Sequence, residues 1–89
     1  MIKHINLNIS GRVQGVWFRA SAQKQAVELG LRGFVCNLPG GSVYAECEGD
    51  EAQLAAMIAW CWQGPPLALV DKVEVFYGPV AGFDQFEIR

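Results

Sequence analysis

HINLNISGRVQGVWFRASAQKQAVELG, residues 4–30, sets out a strand, a glycine-bracketed turn and a helix in immediate succession. Ile5, Leu7 and Ile9 alternate with His4, Asn6, Asn8 and Ser10, the period of two that gives a strand one buried face. Phe18, Ala22, Ala26 and Leu29 then recur at spacings of 4, 4 and 3, one face of a helix that Gly30 ends. Between the two elements, Gly11 and Gly15 allow positive φ and close backbone approach, so successive N–H groups of the turn can converge on one point. Arg19 falls in the first helical turn, where the helix dipole disfavours a cation by roughly 0.3 to 1 kcal/mol. An anion held between its guanidinium and the open N–H groups of the helix start would offset that cost.

Downstream of this unit, Arg32 to Leu38 and Ser42 to Gly49 read as two strands around the turn Pro39-Gly40-Gly41. In the second of them Val43, Ala45 and Cys47 oppose Tyr44, Glu46 and Glu48. Asp50 with Gln53 has the spacing of a capping box, and Leu54, Met57, Ile58 and Cys61 supply the apolar stripe of a second helix that Gly64-Pro65-Pro66 ends. Val73, Val75 and Tyr77 mark a fourth strand, and Phe86 with Ile88 a short terminal one. The order β-α-β-β-α-β is the α+β, ferredoxin-like split βαβ arrangement, a mainly antiparallel sheet with both helices on one face. Its crossovers place the third strand between the first and the second, and the other sheet face is expected to be wet. Strands one and two then run parallel, so Gly11 and Asn37 meet at one edge, about two spacings of 4.8 Å apart. Val35 is expected to face the core, with Asn37 on the same side.

Eighty-nine residues bound the chain to one domain, residues 1–89, burying roughly 60 to 65% of its extended surface. With 52% hydrophobic and 18% charged residues the composition is that of a folded globule. No apolar run reaches the roughly 20 residues of a membrane span and no signal pattern opens the chain, so the cytoplasm is the expected location. No Asp or Glu occurs between Met1 and Val27, while Lys3, Arg12, Arg19 and Lys24 all lie there, a charge of +4; the remainder has three basic and nine acidic residues, for a total of −2. A positive turn inside an acidic protein suits a small anion and argues against general nucleic-acid binding. Cys36, Cys47 and Cys61 have neither CxxC nor metal-ligand spacing, and a bridge between the core-facing Cys47 and Cys61 stays open. His4, the only histidine, lies on the polar side of the first strand and is not expected to act in catalysis.

GRVQGVWFR at Gly11 to Arg19, followed by GFVCNLPGGSVYAECEG at Gly33 to Gly49, resembles the acylphosphatase family. The resemblance extends through GPPLALVDKVEV at Gly64 to Val75 and the terminal FEIR, and so spans the chain. It implies hydrolysis of the mixed anhydride of a carboxylic and phosphoric acid, without metal or cofactor, by a monomer whose partners are an acyl phosphate substrate and inorganic phosphate. The family's arginine falls on Arg19 and its asparagine on Asn37. The backbone N–H groups of Gln14, Gly15, Val16, Trp17 and Phe18 would, with Arg19, hold the phosphoryl oxygens. Trp17 and Phe18 are expected to shape and pack this cradle. The chemistry of the residues fits: a guanidinium clamps two phosphoryl oxygens, and a carboxamide orients a water without deprotonating it. Two departures from the commoner pattern are Cys36, expected on the open sheet face, and the Pro39-Gly40-Gly41 hairpin, which bears on where Asn37 sits. A module that retains an anion without hydrolysing it is the rival reading; a ferredoxin-like metal or RNA module is a more distant one, disfavoured by the missing CxxC and the acidic balance.

Overall fold

β1 (Lys3–Arg12) lies between two partners, and its alternation decides what the sheet buries. In this computed structural model, which describes residues Met1 to Arg89, Ile5, Leu7 and Ile9 stand opposite Cys47, Ala45 and Val43 of β3 (Val43–Gly49). On the other flank Leu7 and Ile9 face Val75 and Val73 of β4 (Leu69–Gly78). β2 (Arg32–Asn37) pairs with β3, bringing Val35 beside Ala45, and β5 (Phe86–Ile88) adds a parallel edge to β2. The sheet order is β4-β1-β3-β2-β5, so the third strand does sit between the first and the second.

One face of the sheet is closed by α1 (Phe18–Glu28) and α2 (Glu51–Gln63). α1 inserts Phe18, Ala22 and Ala26, and α2 inserts Leu54, Met57 and Cys61. Each fully buried Ile or Leu contributes on the order of 1.5 to 3 kcal/mol, and Ile5, Leu7, Ile9 and Leu54 are all at 0% exposure. α2 starts on a complete capping box: Asp50 Oδ1 accepts from the Gln53 N–H, and Gln53 Oε1 accepts from the Asp50 N–H, both at 2.9 Å. It stops at Gly64, whose φ of 67° a residue with Cβ rarely adopts. All three cysteines are free, which closes the question of a Cys47–Cys61 bridge. Burial pushes both of those thiols well up, Cys61 to about 12.

The second face departs from expectation. The connection between β4 and β5 folds across it, so that His4 and Glu48 become buried instead of wet. Glu48 accepts from His4 Nδ1 at 2.6 Å and from the backbone N–H groups of Ala81, Gly82 and Phe83. The ring of Phe83 stacks on the imidazole at 5.9 Å. Cys36, half-buried, does lie on this face, side by side with Tyr44.

Candidate active site

The cradle begins where β1 leaves the sheet. A shift of register between Ser10 and Gly11 turns the strand, and Gly11 holds φ at 123° with its Cα against β4. A Cβ there would lie 2.2 Å from the Leu69 carbonyl oxygen, so glycine is required sterically as well as conformationally. Val13 and Val16 then anchor the turn in the core. Gly15, φ 74°, keeps open space on its Cβ side.

Trp17 occupies the N-cap position of α1 with φ 68° and ψ 20° and makes no side-chain cap bond. It is the one non-glycine residue at positive φ, a conformation worth about 1 to 3 kcal/mol of strain for a side chain of this kind. The first helical turn also has no acidic residue. The helix start is therefore left uncapped by the chain itself. From Gln14 to Ala20 no backbone N–H donates to another protein group; the first to do so is Ser21, to the Trp17 carbonyl at 3.0 Å. A row of free N–H groups at the positive end of a helix is an anion-receiving surface.

A cleft of about 390 Å³ opens beside this row. Its wall takes Val13, Gly15, Trp17, Phe18, Arg19 and Ala20 from the turn and α1, Asn37 from the end of β2, and Ile88 from β5. The structure thus brings Arg19 and Asn37 to one concavity, as the parallel run of β1 and β2 requires. Arg19 is exposed and enters no ion pair. Asn37 Oδ1 is buried and has no hydrogen-bond donor. An acceptor so placed loses on the order of 1 to 3 kcal/mol relative to a satisfied one. The wall carries no carboxylate, imidazole, thiol or ammonium.

Other residues of the motif sit differently. Gln14 is off the wall; its Nε2 donates to the carbonyls of Leu38 at 2.8 Å and Ser42 at 2.9 Å. That side chain ties the cradle to the hairpin that follows Asn37. Val16 is likewise off the wall, with its side chain in the core. Phe18 packs as expected, edge to face with Trp60 at 5.3 Å. Trp17 does not: 76% of it is exposed, at the cleft. Val13, Ala20 and Ile88 were not legible as wall residues. Only the register of β5 on β2, which sets Ile88 beside Val35, carries Ile88 there.

Fold and site together define a ferredoxin-like α+β domain with a cleft, lined by an unpaired guanidinium and beside free N–H groups, between a strand-to-helix turn and the end of a strand in the same sheet. The model of one family, acylphosphatase, matches residues 5–88. An acylphosphatase of Methylococcus capsulatus is 48% identical over 88 residues, covering 98% of this chain and 96% of the relative. Among solved structures, an acylphosphatase from Coxiella burnetii superposes with a TM-score of 0.96 at 38% identity, covering 99% of this chain and 93% of that one. One from Bacillus subtilis superposes with a TM-score of 0.96 at 31% identity, covering 100% of this chain and 99% of the other. The chain belongs to the acylphosphatase family, and its activity is the hydrolysis of acyl phosphates to carboxylate and inorganic phosphate.

Proposed function

We propose that the cleft hydrolyses acyl phosphates without a metal ion, by in-line attack of a water held at Asn37 on a phosphoryl group held by Arg19 and the turn. The observation that carries this reading is a complementary pair on one wall: a guanidinium without a counter-charge and a buried carboxamide oxygen without a donor. The phosphoryl oxygens accept from the Arg19 fork and from the free N–H groups of Gln14 to Phe18. Charge that builds on those oxygens in the transition state then meets donors already in place. The attacking water donates one O–H to Asn37 Oδ1, which turns a lone pair towards phosphorus. The bond from water oxygen to phosphorus forms as the bond from phosphorus to the acyl oxygen breaks. The acyl oxygen leaves with the electron pair as a carboxylate, and both water protons end on the phosphate product.

The missing general acid narrows the substrate. A carboxylate leaving group has a conjugate acid near roughly pKa 4 and departs unaided, whereas an alkoxide needs a proton or a metal. The wall therefore suits acyl phosphates and not phosphate monoesters. The same reading takes the protein as a monomer in the cytoplasm, a reducing compartment in which Cys36, Cys47 and Cys61 stay free thiols. No helix is long and apolar enough to cross a membrane.

The test is phosphate release from acetyl phosphate, with and without a chelator. Arg19→Ala is expected to lower kcat/KM by roughly 10²- to 10³-fold. Asn37→Ala is expected to lower kcat while inorganic phosphate still competes. Wild-type turnover by a folded Arg19→Ala protein, or activity abolished by the chelator, overturns the mechanism.

A further inference from the structure

α1 is tied to the rest of the protein by a single polar side chain. The half-buried Gln23 donates through Nε2 to the Phe86 carbonyl of β5 at 3.1 Å. No other polar side chain of the helix, Arg19 included, enters a hydrogen bond or an ion pair. The apolar face of α1 is Phe18, Ala22 and Ala26. Alanine methyls make shallow ridges, so along most of its length this face resists rotation of the helix weakly.

The acceptor is held as firmly as the donor needs. Gly33 donates to the Gln85 carbonyl at 2.9 Å, and Arg89 donates to that of Val35 at 2.8 Å. β5 therefore turns alternate residues to β2, and the Phe86 carbonyl, lying between those residues, faces the open edge of the sheet. The Phe86 side chain is buried in the core, which fixes that carbonyl in place.

Gln23 follows Arg19 by four positions, and residues so spaced project from one side of a helix, a turn apart. The bond to Phe86 thus sets the side of α1 that carries Arg19. That side meets the cleft, where Arg19 shares the wall with Ile88 of the same β5. A rotation of about 10° carries a group at the rim of a helix about 10 to 12 Å across through about 1 Å. Displacement by about 1 Å costs on the order of a hundredfold in turnover.

Resting on the reading of Arg19 given above, we propose that Gln23 is a positioning residue for the reaction: its bond to Phe86 holds α1 at the rotation that points the Arg19 guanidinium into the cleft. Gln23 lies off the cleft wall and does not touch substrate. Without the bond Arg19 keeps its charge, but its fork meets two phosphoryl oxygens for a smaller fraction of the time.

The experiment is a double-mutant cycle on kcat/KM for acetyl phosphate, with Gln23→Met, Arg19→Ala and the two combined. Methionine keeps the length of glutamine and lacks its donor. Gln23→Met is expected to lower kcat/KM roughly five- to thirtyfold, less than a fixed displacement because the helix still visits the correct rotation. Gln25→Met, on the same helix with no bond to lose, should keep the wild-type value. In the Arg19→Ala background Gln23→Met is expected to change kcat/KM by less than about twofold, because the group it aims is gone. A role in packing alone would carry the full loss into that background. Turnover by Gln23→Met within about twofold of wild type, an equal loss in Gln25→Met, or an equal loss with and without Arg19 overturns the positioning role and leaves the reading of Arg19 intact. Wild-type turnover by a folded Arg19→Ala protein overturns that reading, and the positioning role with it. Gln23→Asn, polar but one methylene short of the Phe86 carbonyl, repeats the cycle and decides the matter if Gln23→Met does not fold.

Discussion

Replacing Glu48 with glutamine removes one negative charge from the clamp that holds the 79–85 connection over the sheet, with little change of shape. Glu48 is 1% exposed. Burial alone raises its carboxyl, but the His4 hydrogen bond and the N–H groups of Ala81, Phe83 and Gly82 outweigh burial and bring it from 4.5 to about 2. A fall of that size corresponds to about 3 kcal/mol in favour of the folded state. Because the folded value is depressed, the contribution is complete above pH 4.5 and disappears as pH falls towards 2. His4 has the opposite sign. Burial lowers it, yet bonds to Glu48 and Asn6 and the charge of Glu46 together raise it above 6.5. Its contribution is present below 6.5 and lost as pH rises through the raised value. The clamp is therefore strongest between about pH 4.5 and 6.5. Urea unfolding of Glu48→Gln near pH 5.5 is expected to show a loss of about 3 kcal/mol, a large part of the roughly 5 to 15 kcal/mol of a typical domain. The melting temperature should fall by roughly 12 to 24 °C. The gap should narrow as pH rises past 6.5 through the raised His4 value, and close near pH 2. A gap equally wide near pH 2 and near pH 5.5 refutes the charge argument and leaves only packing.

Gln14→Ala cuts both ties between cradle and hairpin; stability should fall by about 1 to 3 kcal/mol, and kcat by roughly tenfold to a hundredfold, since a shift of about 1 Å at Asn37 suffices. Steady-state kinetics with phosphate as competitor checks it, and an unaltered kcat refutes the positioning role. Asp50→Ala removes the α2 cap, and thermal melts should show a loss of about 1 kcal/mol, or roughly 4 to 8 °C. Its kcat should equal wild type, because the α2 start lies outside the cleft wall.

The features read correctly along the chain are those where local chemistry and long-range packing agree. Alternation in β1, the glycine-bracketed turn, the capping box at Asp50 and the Pro39-Gly40-Gly41 turn each state a local preference that the fold keeps. The convergence of Arg19 and Asn37 was also legible, because strand order alone brings the ends of β1 and β2 to one edge. The buried pair was not. His4 and Glu48 alternate on the polar side of their strands, and a period of two cannot say whether that side meets water or another segment. What covers them is an irregular stretch containing Pro79 and Gly82, which has no periodicity to read. Trp17 escaped for a related reason: propensity assigns a bulky aromatic beside Phe18 to packing, and nothing local signals a left-handed backbone that turns it outward.

The two helix starts of this chain make the logic of the site plain. α2 has an aspartate at its N-cap, a reciprocal glutamine and an acidic residue in its first turn, all of which stabilise it with no help from outside. α1 has a strained tryptophan at the same position, no acid and an arginine two residues further in. Each of these choices is unfavourable for an isolated helix, and an anion bound there would offset the missing cap and the misplaced charge, by accepting from the free N–H groups, answering the dipole and pairing with Arg19. The stability that tolerates such a start resides elsewhere, in the β1 core, the Gln14 tie and the Glu48 clamp. Because the same wall carries no carboxylate, imidazole, thiol or ammonium, an anion completing the helix would react only if its leaving group departed without a proton.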